Sequence, residues 1–130
     1  MTPRLATAIL LLALSACECE TAPGQRVVTA VSRERAEAVY LQKCAICHGE
    51  RGDGQGPRRG SLFKKPPDFR QVAWREGKSL EQVRSVIRDG RPGSDMPAWK
   101  SLDDAEIAGL AKYVLGFADA SGSRTEAGSR

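Results

Sequence analysis

Apolar side chains recur at helical rather than strand spacing in three stretches of this chain. From Ser32 onward, Ala36, Val39, Tyr40, Cys44 and Cys47 return at three- and four-residue steps, which places them on one face of a helix. That first helix presents both cysteines together. A second helix is punctuated by Ser79 as N-cap and Gln82 three residues on, with Val83 and Ile87 beside Leu80 and Val86, and it stops at Gly90 and Pro92. The third starts at Asp103 with Glu106 in the capping-box position. Leu102 and Ile107 are spaced for a hydrophobic staple, and Ile107, Leu110, Ala111, Val114 and Phe117 or Ala118 form its buried stripe. No stretch shows the two-residue alternation of a strand, so the pattern predicts an all-α fold of about three main helices. Residues 49–61, with Gly49, Gly52, Gly54, Gly56 and Gly60, and the stiff run Pro66-Pro67-Asp68-Phe69 read as irregular connections.

The ends of the chain read differently. Arg4 precedes an apolar run from Leu5 to Leu14 and then Ser15-Ala16-Cys17, which is the layout of an export signal and too short for a membrane-spanning helix of about 20 residues. Leu14-Ser15-Ala16-Cys17 resembles the lipobox of bacterial lipoproteins, in which the cysteine receives a diacylglycerol. The alternative is ordinary cleavage after Ser15; both send the protein out of the cytoplasm. The expected organisation is therefore a lipoprotein-type signal peptide over 1–16, a flexible tether over 17–32, a folded domain over 33–118 and a disordered tail over 119–130. A domain this small buries too little surface to be comfortably stable, and commonly needs a metal, disulfides or a cofactor.

Charge excludes more than it identifies. The formal net charge is +4, and the leader contributes only Arg4 to it, well short of the strong basic face of a nucleic-acid binder. Positive charge is concentrated between residues 51 and 78, where Arg58, Arg59, Lys64 and Lys65 are candidates for steering an acidic partner. Four cysteines in an exported chain would ordinarily suggest two disulfides. Here Cys17 is assigned to lipid, Cys19 is left over without a role, and Cys44 and Cys47 stand in Cys44-Ala45-Ile46-Cys47-His48.

That pentapeptide is the pattern for covalent haem attachment. Two thiols three residues apart reach one porphyrin edge from one helical face, and the adjacent His48 is placed beneath the iron. A thioredoxin-like dithiol would come with alternating strands and helices, which are absent from the pattern. A zinc site fails because the chain has one histidine and no second cysteine pair after residue 47. The glycines of 49–61 do not make a phosphate loop either, since they follow a helix instead of opening one. The sixth iron ligand follows by elimination. His48 is the only histidine, Met1 leaves with the signal, and the remaining methionine, Met96, stands in the polar loop Gly93-Ser94-Asp95-Met96-Pro97-Ala98-Trp99 outside any apolar stripe. Pro97 biases Met96 toward extended backbone, and methionine opposite histidine raises a haem's potential.

With these residues in place, 33–118 resembles the soluble single-haem cytochrome c family, with an N-terminal attachment motif and His/Met ligation. Val86-Ile87-Arg88-Asp89-Gly90-Arg91-Pro92, Met96-Pro97-Ala98-Trp99 and Leu110-Ala111-Lys112-Tyr113-Val114 stand where that family has its motifs. The resemblance implies a small cytochrome c fold wrapped around one covalent haem c, its first and last helices crossing where Ala36 and Tyr40 meet Leu110, Tyr113 and Val114. It also implies that a proline carbonyl accepts the free N–H of His48; Pro57 is the first candidate, with Pro66 and Pro67 behind it. Trp99 is expected to line the haem pocket, and Trp74 is a weaker candidate. The implied function is electron transfer between redox proteins, as a shuttle or tethered relay serving membrane respiratory complexes from the periplasmic or envelope side. A haem enzyme or gas sensor with a displaceable Met96 is the alternative. It is disfavoured because no second histidine is present to act as distal acid or base.

Overall fold

The computed structural model describes residues 29–126, and the side chains of 29–120. The expected signal peptide, Cys17, Cys19, most of the tether and residues 127–130 lie outside the described residues. Five α-helices and one 3-10 turn follow one another: α1 (Arg33–Lys43), α2 (Ala45–His48), the 3-10 turn (Pro57–Ser61), α3 (Val72–Glu76), α4 (Leu80–Asp89) and α5 (Asp104–Glu126). Among the described residues there is no strand, and no helix is long and apolar enough to cross a membrane.

The starts of α4 and α5 follow the sequence signals, and α1 is capped in the same way. The Ser32 hydroxyl accepts from the Arg35 N–H at 3.2 Å. At α4 the Ser79 hydroxyl accepts from the Gln82 N–H, and the Gln82 side chain accepts from the Ser79 N–H at 2.8 Å. Asp103 and Glu106 make the same reciprocal pair before α5. These bonds satisfy amide donors that the first helical turn leaves without partners.

The core lies where α1 crosses α5, with α3 and α4 packed against the same long helix. Ala36, Val39 and Tyr40 of α1 are buried with Ile107, Leu110, Ala111, Tyr113 and Val114 of α5, and α4 contributes Val83 and Ile87. Close approach at the crossing is set by Gly109. A Cβ there would stand 2.5 Å from Val31 Cγ2 and 3.5 Å from Ala36 Cβ, so α5 supplies the small residue and Ala36 is accommodated on α1. Tyr40 is fully enclosed between Tyr113 and Phe117, each 5.3 Å away between ring centroids. Its hydroxyl donates to the Gly49 carbonyl at 2.7 Å, as a buried phenol requires. Burial raises the Tyr40 pKa far above its ordinary value, so the hydroxyl keeps its proton.

Two expectations need correction. The tail expected from Asp119 is helical as far as Glu126: once a helix is nucleated each further residue costs little, Ala118 is buried, and Asp119 pairs with Arg75 of α3 at 3.1 Å. The stretch between Phe69 and α4, in which the expected set of about three main helices places none, contains the short helix α3. Its Trp74 packs on Phe69 at 4.6 Å, a tertiary contact that stabilises a segment too short to hold a helix by itself. Leu80 and Val86, expected beside Val83 and Ile87, remain more than a third exposed.

Candidate functional site

The attachment motif straddles the break between α1 and α2. Cys44 interrupts regular helix, yet its N–H still bonds the Tyr40 carbonyl at 2.8 Å and its own carbonyl accepts from the His48 N–H at 2.9 Å. The helical path therefore continues, and Cys44, Cys47 and His48 leave it within little more than one turn. Both thiols are unpaired and partly exposed. Burial pushes the Cys44 thiol up to about 11, so it stands protonated at neutral pH.

His48 packs against the core. Phe69 stacks on the imidazole at 4.8 Å between centroids and 19° between planes. Burial lowers its pKa to about 4, which keeps the ring neutral and leaves a nitrogen lone pair for a metal. Its Nδ1 is buried with no hydrogen-bond partner. The expected bond from His48 to Pro57 is therefore not made in this structure; Pro57 instead opens the 3-10 turn. With Nδ1 available to carry the ring proton, the lone pair of the neutral imidazole falls on Nε2, the nitrogen a metal would take.

The glycine loop holds the motif from the other side. The Gly54 N–H donates to the His48 carbonyl at 2.8 Å and the Gly56 N–H to the Cys47 carbonyl at 3.3 Å. Gly56 touches the motif so closely that a Cβ would lie 2.5 Å from the Ile46 oxygen and 2.6 Å from the Ala45 oxygen and the Cys47 carbonyl carbon. These are backbone atoms with no side-chain freedom to yield. Gly56→Ala is therefore expected to lower the stability of the haem-loaded protein by about 1–3 kcal/mol, the usual cost of overpacking. Guanidinium unfolding should show an earlier midpoint at unchanged slope; an unaltered midpoint would mean that the loop relaxes freely.

Met96 is half-buried on a separate loop. Its carbonyl accepts from the Arg91 N–H at 3.1 Å and its N–H donates to the Ser94 hydroxyl at 3.3 Å. Gly90 permits this turn with φ of +73°, where a side chain would meet the Met96 oxygen and the Ala98 nitrogen within 3 Å. Trp99 bonds back to α4 through its N–H and the Ile87 carbonyl at 3.1 Å. Its indole Nε1 is buried without a partner, and the Lys43 ammonium lies 5.6 Å from the ring centroid. That contact brings the Met96 loop beside the residue preceding Cys44.

Cys44, Cys47 and His48 thus form one cluster, backed by Gly56 and Pro57, while Met96 and Trp99 arrive on a second loop tied to it. This donor set fits a covalently held haem: two free thiols one turn apart, a neutral imidazole and a thioether. Phe69, Gly56 and Asp95 were not singled out as site residues by the sequence. Phe69 lies in an aperiodic proline-rich run. Asp95, whose carboxylate accepts from the Phe63 and Lys64 N–H groups at 2.7 and 3.4 Å, belongs to a loop with no pattern. Of the four cations expected to steer a partner, Lys65 is exposed but has its ammonium engaged by backbone. Its ammonium donates to the carbonyls of Arg59, Gly60 and Leu62 at 2.8, 3.4 and 3.0 Å.

Comparison with known proteins agrees with this geometry. Residues 32–114 match the family profile described as cytochrome C oxidase, cbb3-type, subunit III. The chain is 37% identical over 92 residues to the cbb3-type cytochrome c oxidase subunit CcoP of Azospirillum brasilense, spanning 70% of this chain but only 30% of that one. It is 24% identical to cytochrome c6 of Cyanidium caldarium, covering 85% of this chain and 93% of that one. Among solved structures, the KustC0563 c-type cytochrome superposes with a TM-score of 0.54 at 29% identity, covering 63% of this chain and 95% of that one.

Proposed function

The chain belongs to the cytochrome c family, and from that premise we propose that it is a carrier of single electrons between other redox proteins, with no substrate chemistry of its own. Electron transfer by one covalently bound haem c is its function. When bound, that haem supplies a one-electron iron couple. The observation that carries the reading is the cluster itself, in which two unpaired thiols and a neutral, half-buried imidazole leave one helical path together.

In this reading Cys44 and Cys47 would hold the haem covalently through their sulfurs, and His48 and Met96 would supply its iron with a nitrogen and a thioether donor. The chain controls the couple through its packing. Phe69 and Tyr40 fix the wall behind His48, the Arg91–Met96 turn presents the thioether, and Trp99 lines the pocket. The unsatisfied Nδ1 of His48 is free to donate to a nearby carbonyl, with Pro57 the first candidate, which would fix the ring and raise its basicity as a ligand. Methionine opposite histidine favours the reduced state, which suits a carrier that accepts electrons readily. An enzyme would ask for a distal acid or base, and the chain's one histidine is already engaged.

The setting we infer is the periplasmic or cell-envelope side of a membrane, with the protein held by lipid on Cys17. The partners are membrane respiratory complexes, a view supported by relatives that are themselves oxidase subunits and of which this chain spans about 30% of the length. One preparation tests both parts. The reduced, haem-loaded protein mixed with native envelope membranes should be reoxidised, and its intact mass should carry acyl groups on Cys17. Catalytic turnover of a small molecule with no electron exchange with membranes would sink the carrier reading. An unmodified N-terminus at Cys17 or Glu18 would sink the anchor.

A further inference from the structure

The Met96 loop and the His48 helix are far apart in sequence; besides the Lys43–Trp99 contact, one carboxylate links that loop to the segment backing the helix. Asp95 Oδ2 accepts from the Phe63 N–H at 2.7 Å and, less closely, from the Lys64 N–H at 3.4 Å. Among the described residues these are the hydrogen bonds that connect the 91–99 loop to the 57–65 segment. That segment is anchored on the histidine side. The 3-10 turn packs on α2, Gly56 is pressed against the backbone of residues 45–47, and Leu62 is buried. Phe63 itself is 83% exposed, so its position comes from its backbone rather than from side-chain packing.

The remaining bonds around Met96 do not do this. Arg91 to Met96, Met96 to Ser94 and Ser94 to Arg91 all close within the loop, and Trp99 to Ile87 ties it to α4. They fix the shape of the turn and its seat on α4 but leave its distance from the 57–65 segment to Asp95.

We propose that Asp95 is a positioning residue: its carboxylate latches the Met96 loop to the segment backing His48, and so holds the thioether on the iron against competing ligands. This rests on Met96 being the sixth ligand. Hydrogen bonds to a charged acceptor are stronger than neutral ones, and a ligand's apparent affinity scales with the fraction of molecules whose site is open. Loosening the latch therefore appears as easier capture of an added ligand.

The test uses the haem-loaded ferric protein, titrated with imidazole at a pH where imidazole is uncharged, so that changing the protein's charge does not itself alter attraction. Asp95→Ala should bind imidazole at least about tenfold more tightly than wild type, because a larger fraction is open, and should lose part of its near-infrared methionine band. Asp95→Asn keeps an acceptor oxygen and should fall between the two. Guanidinium unfolding of each variant separates this from general weakening: Gly109→Ala, crowded against Val31 at the α1–α5 crossing and away from the latch, should bind imidazole as wild type does. If wild type shows the methionine band and Asp95→Ala binds imidazole with wild-type affinity, the latch is overturned and the ligation reading stands. A wild type without the band overturns the ligation reading and the latch with it.

Discussion

Replacing Cys44 and Cys47 together by serine is expected to give a chain that retains no haem through denaturation and acid-acetone extraction and does not fold stably. The reason lies in the thinness of the polypeptide core. Alanine supplies much of it, at Ala36, Ala45, Ala108, Ala111 and Ala118, while Ile46, Val86, Leu80 and Phe63 remain substantially exposed. Small domains have only about 5–15 kcal/mol of net stability, and a prosthetic group whose binding is coupled to folding contributes a large share of it. Circular dichroism should show loss of most helical signal, with no cooperative melt. A double variant that melts like wild type and still holds haem after extraction would overturn covalent attachment at these positions.

Met96→Ala is the second large effect, and it separates ligation from folding. The side chain is half-buried on a loop whose shape is set by backbone bonds of Arg91, Ser94 and Trp99, so truncation leaves the fold in place and haem covalently bound. Ferric iron should become high-spin or solvent-ligated, the near-infrared methionine band should vanish, and the potential should fall by on the order of 100 mV, within the roughly 0.8 V that axial ligands govern. An unchanged low-spin spectrum and potential would remove Met96 from the iron.

Much of this molecule is legible in its sequence because the relevant forces are local. The caps at Ser79 and Asp103 work over three residues, and the stripes on α1, α4 and α5 follow helical periodicity. The spacing of Cys44, Cys47 and His48 carries its chemistry without reference to the rest of the chain. What escaped was non-local. The α3 helix exists because Trp74 meets Phe69 and Arg75 reaches Asp119, and the extension of α5 past Asp119 shares that last contact. Gly109 is the residue that lets the helices approach at the crossing, and nothing in the α5 stripe singles it out until Val31 comes to rest against it. Asp95 reads as one more loop acid until the backbone of Phe63 is placed beside it.

The crossing of α1 with α5 also governs when the domain can form. Its partners come from opposite ends of the folded region, so α1 has no apolar surface to dock on until the last helix has been made. A chain emerging N-terminus first exposes the Cys44–His48 motif long before α5 appears. Contacts of such long sequence separation close late and slowly. The thiols are thus presented on an open chain, and closure of the crossing later packs α5 against the helix that leads to them.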